Sequence, residues 1–171
     1  MTRVVVERWQ VLRTVRLRAL ADSPGAFGAT WQGEQRQPEA FWRARAEQGC
    51  WFLAHDGGGH PVGVVAAVAA PSGEPAERQL DAMWVEPRWR GRGVGEALAG
   101  AVLAWAAEQG ADRVSLTVVD GNDAARGLYL RLGFRPTGER EPRPRDPGRW
   151  RERMRVGLAG PGSGLAGARG R

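Results

Sequence analysis

Arg88-Trp89-Arg90-Gly91-Arg92-Gly93-Val94-Gly95 is the stretch from which the rest of the chain can be read. An apolar run with strand character, Leu80 to Val85, leads into it through a turn signal at Glu86-Pro87. It opens directly into a helical pattern in which Val94, Leu98, Ala101, Val102 and Trp105 share one face. Gly110 stops that helix. The order is strand, glycine-rich turn, helix. Glycines let successive backbone N–H groups turn toward one point, and the helix N-terminus adds orphan donors and a positive partial charge. Such a turn binds an anion, most often a phosphate, and Arg88, Arg90 and Arg92 surround it with fixed charge.

Spacing narrows the kind of anion site. A P-loop requires a lysine after its last glycine, and all 25 basic residues of this chain are arginines. The dinucleotide fingerprint G-x-G-x-x-G fails because Glu96 stands where its third glycine belongs. The pattern that remains is Arg90-x-x-Gly93-x-Gly95.

The chain's 171 residues suit one domain with a real core, and 42% apolar with 26% charged residues is the balance of a soluble globular protein. No apolar run is long enough to span a bilayer, and the N-terminus lacks a signal-peptide pattern. A single cysteine, Cys50, fits a reducing cytoplasm, where we expect the protein to reside. His55, His60 and Cys50 make a poor metal set, so no metal is expected. The net charge of +6 is spread along the chain with no nucleic-acid-binding module, so no specific nucleic-acid partner is expected.

In order, Met1–Val6 reads as a short strand, and a helix runs from Glu7 to a stop at Asp22-Ser23-Pro24-Gly25. A polar segment with single aromatics follows, then a short helix from Pro38 to Gly49. Cys50–Ala54 and Val62–Val68 form a hairpin about a Gly-rich turn. Arg113–Val119 is a buried strand. Asn122 or Asp120 caps a helix that ends at Gly133. Phe134 begins a strand, Glu139–Gly148 reads as a Pro/Arg loop, and Arg149–Leu158 alternates like a half-buried strand whose parity Glu152 interrupts. We expect one mixed α/β domain over residues 1–158 and a flexible Gly-rich tail at 159–171.

The helix after Val119 carries N-D-A-A-R-G-L-Y-L-R-L-G-F, an Asn at the helix entry followed by Leu-Tyr and Gly-Phe. Together with M-W-V-E-P-R-W-R-G-R-G-V-G and the early R-L-R-A-L-A-D-S-P-G-A-F, this resembles the GNAT superfamily of N-acetyltransferases over most of the chain. The resemblance implies a central twisted, mostly antiparallel sheet of about six to seven strands flanked by about four helices. It implies acetyl-CoA as donor, direct transfer to a primary amine of a small molecule in a ternary complex, and a homodimer. In the family the central strand splays from its neighbour and pairs with the pantetheine arm, which falls here to Met83, Trp84 and Val85. The loop of Arg90, Gly91, Arg92, Gly93, Val94 and Gly95 would hold the pyrophosphate, and Asn122 would contact the pantetheine or fix the helix start. Tyr129, the only tyrosine, falls on the general-acid position and would protonate the departing thiolate.

An attacking amine must be neutral, which calls for a base. Asp81 and Glu77 are the carboxylates just upstream on the central strand; both share parity with Met83 unless a bulge breaks the register. Trp31, Trp42 and Trp150 lie where family members often build the acceptor pocket. Other readings of the same residues are acetylation of a protein lysine or N-terminus, a non-catalytic CoA-binding module, and an RNA-associated protein.

Overall fold

The computed structural model describes residues 1–143 and 146–158; the tail expected at 159–171 lies outside the described residues. Period-two runs rich in valine and alanine make β2 (Cys50–His55) and β3 (Pro61–Ala69) an antiparallel hairpin. Its turn is held by the Asp56 carboxylate, which accepts the N–H groups of Gly58 and His60 at 2.9 Å each. The short β1 (Thr2–Arg3) lies on the outer edge of β2, and β4 (Glu77–Val85) pairs with the other side of β3.

Beyond β4 the chain crosses over through α4 (Val94–Glu108) and returns as β5 (Arg113–Val119) parallel to β4, the one parallel pair among the described strands. After α5 (Asp123–Arg131), β6 (Arg135–Arg143) and β7 (Asp146–Gly157) complete a seven-stranded sheet of order β1-β2-β3-β4-β5-β7-β6. Here the expectation of a Pro/Arg loop over Glu139–Gly148 is corrected. Pro136 and Pro142 sit in β6, which is an edge strand, where a missing N–H costs no ladder bond on the open side.

Strand alternation divides the core in two. Val64, Ala66 and Trp84 face α1 (Trp9–Asp22) and α3 (Glu39–Gln48), while Val65, Ala67 and Leu80 face α4 and α5. The polar segment before α3 contains a fifth helix, α2 (Trp31–Gln35), whose N-terminus Thr30 caps by accepting the Gly33 N–H at 3.1 Å. Its Glu34 is buried, with one carboxylate oxygen 3.1 Å from Arg16 Nε and the other 2.8 Å from Arg45 Nη1. The parity break at Glu152 also has a reason, since its carboxylate accepts from Arg126 of α5 at 3.3 Å.

Two features of β4 open the sheet. First, the register with β3 jumps from Ala66↔Asp81 to Val64↔Trp84, so Ala82 and Met83 oppose a single residue. This β-bulge holds Ala82 at φ +56°, a left-handed conformation rare for alanine. Second, β4 pairs with β5 only from Glu77 to Gln79, opposite Arg113 to Ser115. Past that point the two strands diverge, and a slot passes through the middle of the sheet.

Candidate active site

The helix-starting turn forms one wall of a cleft of about 440 Å³ on the α4–α5 side of that slot. Gly91 and Gly93 adopt φ +72° and +77°, which only glycine takes without strain. A Cβ on Gly93 would meet no protein atom within 4 Å, so it would project into the open cleft. The first backbone bond of α4 runs from Ala97 N–H to the Gly93 carbonyl at 3.0 Å, and no side chain caps the N–H groups ahead of it. Those orphan donors, with the partial charge of a 15-residue helix behind them, form an anion cradle. Gly95 is needed for a different reason: a Cβ there would come within 3.1 Å of Leu128 Cδ2, where α4 and α5 approach.

The arginines of the loop divide in their roles. Arg90 lines the cleft, yet its guanidinium is committed, with Nε donating to the Val85 carbonyl at 2.9 Å and Nη2 bound to Asp22. These two bonds make Arg90 the tie between the loop, β4 and the end of α1. Asp22 also accepts from the Trp84 indole at 2.9 Å and from Ser23. Burial works against its ionisation, but these three donors and the Arg90 charge win, and its carboxyl lies below the ordinary range. Arg92 instead stacks over Trp89 with its guanidinium carbon 5.4 Å from the ring centroid.

A second cavity, of about 330 Å³, opens on the slot from the α1–α3 side. The two spaces share Ala26, Phe27, Met83, Asn122 and Ala125, so they meet where β4 and β5 separate. Asn122 caps α5, its side-chain oxygen accepting the Ala125 N–H at 3.3 Å. Tyr129 lines the second cavity, 5% exposed, with its ring edge-on to Phe134 at 5.7 Å between centroids. Burial first, and then the charge of Asp81, push its phenol above the usual tyrosine range. The hydroxyl therefore holds its proton throughout neutral pH.

Of the two carboxylates singled out from sequence, only Asp81 reaches this place. It is solvent-exposed, lines the second cavity and stands beside the bulge. The bulge breaks the expected shared parity: Asp81 pairs with Ala66 of the α1–α3 face, whereas Met83 packs with the α4–α5 core. Glu77 is 1% exposed at the closed end of the β4–β5 pair, 3.3 Å from Arg113 Nε and 3.6 Å from Arg155 Nη2. Its negative charge offsets two arginines on neighbouring strands, and the expectation of Glu77 as a base is withdrawn.

The tryptophan expectation is corrected as well. Trp42 is fully buried in the core, Trp31 packs beside Ala29 in the α1–α3 core, and Trp150 is 44% exposed with Arg140 over its ring. None of the three lines either cavity. The second cavity is walled instead by Arg16, Arg45, Arg143, Arg151 and Phe27, none of which the sequence assigned to a pocket. Nothing in the spacing of 25 basic residues distinguishes these four from solvated ones. Burial lowers the pKa of Arg45; Glu34 opposes that and the neighbouring Arg16 charge adds to it.

Among the described residues no helix is long and apolar enough to cross a membrane. Residues 16–134 match the sequence profile of the acetyltransferase (GNAT) family. The chain is 38% identical over 125 residues to a mycothiol acetyltransferase from Salinispora arenicola, covering 68% of this chain and 38% of that protein. It is 37% identical over 92 residues to N-acetyltransferase 8F1 from Rattus norvegicus, covering 52% of this chain and 41% of that one. It thus spans about two fifths of the length of these curated relatives. The fold is shared with yncA of Salmonella typhimurium, solved with its cofactor acetyl-CoA, at a TM-score of 0.72 and 18% identity over 97% of this chain and 98% of that one.

Proposed function

Because the chain belongs to the acetyltransferase (GNAT) family, we propose that it transfers an acetyl group from acetyl-CoA to the primary amine of a small molecule. The observation that carries this reading is the meeting of two clefts at the split between β4 and β5, with the buried Tyr129 lining the one on the α1–α3 side. The orphan N–H groups ahead of Ala97 fit a pyrophosphate, and the diverging edge of β4 beyond Gln79 has no strand partner on the β5 side, leaving room for an extended arm beside Met83, although the Val85 carbonyl is taken by Arg90. When bound, acetyl-CoA supplies an acetyl thioester.

Each residue then has a task that its surroundings support. Asp81, charged and beside the slot, accepts a proton from the incoming ammonium, directly or through water. Ala82 and Met83, bulged out of register with β3, bring backbone N–H to the slot as an oxyanion donor. Tyr129 keeps a proton at its hydroxyl oxygen, which a thiolate leaving group requires. Holding both reactants at one opening contributes through proximity. The acceptor side, a cavity of about 330 Å³, suits a small molecule.

Thermal unfolding followed by tryptophan fluorescence tests the donor. Acetyl-CoA at about 100 times its Kd should add about 2.7 kcal/mol, raising Tm by several degrees, whereas ATP and NADH should not. An equal shift with ATP would reduce the loop to a generic anion site. The Gly93→Val variant places a branched side chain at φ +77°, over the open cradle. It should weaken acetyl-CoA binding by about tenfold or more, read as a lost thermal shift; undiminished affinity would mean that the anion lies elsewhere.

A further inference from the structure

Resting on the reading above, we infer that the acceptor is a primary amine that also carries a carboxylate, an α-amino acid or a close analogue, gripped by Arg16 and Arg143 while Asp81 receives its ammonium. The cavity on the acceptor side is electrostatically polarised. At the slot stands Asp81; on the wall facing α1, α3 and β6 stand Arg16, Arg45 and Arg143. Arg16 and Arg45 share a single carboxylate, Glu34, so positive charge is in excess there.

Arg16 is the most telling of these groups. Its side chain is 4% exposed, and Nε and Nη2 are taken by Glu34 at 3.1 and 3.3 Å. The remaining Nη1 is buried without a hydrogen-bond partner, although Arg16 borders the cavity. A buried guanidinium N–H left unpaired is unfavourable, so a small shift of this side chain toward an anionic oxygen in the cavity would be favoured. Arg143 is 9% exposed; its Nη2 donates to the Phe27 carbonyl at 2.8 Å, and it has no carboxylate partner among the described residues. The Phe27 ring lies beneath Arg16, 4.6 Å from its guanidinium carbon to the centroid. Phe27 thus touches both side chains, its ring against Arg16 and its carbonyl against Arg143. The coenzyme's own anion is not the intended occupant, because the glycine cradle lies in the other cleft.

A cavity with this polarity favours a zwitterion over a polycation or a neutral amine. It also separates a free amino acid from a peptide N-terminus, whose α-carboxyl is an amide.

The test uses the twenty L-amino acids, their α-amides and the matching decarboxylated amines. Thiol release from acetyl-CoA and the Tm of the CoA-saturated protein are both read. At least one amino acid should show kcat/KM about tenfold or more above its amide and its amine, and should raise Tm where the amide does not. Arg143→Gln should lower kcat/KM for that acid about tenfold while moving the amide less than about twofold. Amides or amines used as well as acids, or an Arg143→Gln loss common to both, overturns the inference and leaves acetyl transfer standing. The same holds if no amino acid is accepted although acetyl-CoA still stabilises the protein. Absence of stabilisation by acetyl-CoA overturns the donor reading itself. If Arg143→Gln does not fold, the acid-to-amide ratio of the unaltered protein decides.

Discussion

Replacing Tyr129 by Phe is expected to lower kcat by about 100-fold or more while leaving stabilisation by acetyl-CoA intact. The substitution removes one oxygen and keeps the ring that packs edge-on against Phe134, so the core around α5 is retained. What it removes is the hydroxyl proposed as proton source, on a residue that lines the second cavity. Because burial and the Asp81 charge raise this phenol's pKa, the acid form persists above the pH at which a free tyrosine ionises. The wild-type kcat profile should therefore show no descending limb from this group up to about pH 10. The two results separate an acid from a spacer. An unchanged kcat would take Tyr129 out of proton transfer, and a lost thermal shift would make it a binding residue.

Glu34→Ala should be strongly destabilising, at about 3–5 kcal/mol, because it leaves buried guanidinium charge without its counter-ion. Arg16 is held by this carboxylate in two places and Arg45 in one, and Arg16 has almost no water around it. For a domain of this size the loss corresponds to a fall in Tm of roughly 6–20 °C. Calorimetry of the variant checks it. A fall of less than about 2 °C would mean that water reaches Arg16 freely, contrary to its burial. Removing a surface carboxylate such as Glu39, which pairs with Arg43 four residues on, should change stability by less than about 0.5 kcal/mol.

The parts of the fold that the sequence made legible are those with a local cause. Val94–Glu108 announces itself by helical spacing after a glycine turn, and β5 lies at Arg113–Val119, where a β-branched run marked it. The Asn122 cap of α5 likewise follows from residue type and position. The parts that stayed hidden depend on partners far along the chain. β6 is a strand because β7 offers it a ladder, in spite of two prolines. α2 is five residues long, below the length at which periodicity is visible, and is fixed by a Thr30 cap and a buried ion pair. Glu77 and Asp81 lie on one strand at matching parity, but pairing to β5 buries the first and the bulge exposes the second. The wall of the second cavity was illegible for the same reason. Arg16, Arg45, Arg143 and Arg151 come from four elements, and only the folded chain says which arginines meet.

A sheet joined across its middle by three residue pairs behaves as two smaller sheets sharing a hinge. β1 to β4 form one leaf, and β5, β7 and β6 form the other. The innermost strands, ordinarily the slowest to exchange their amide hydrogens, carry two free edges inside the molecule. Those amides from Leu80 onward on β4 and from Leu116 onward on β5 that point into the split, unlike their neighbours paired to β3 and β7, are consequently open to exchange without any unfolding of the outer strands. A ligand lying along that seam acts as a splint, and ordering of the protein by its substrate is concentrated at its centre rather than at its surface.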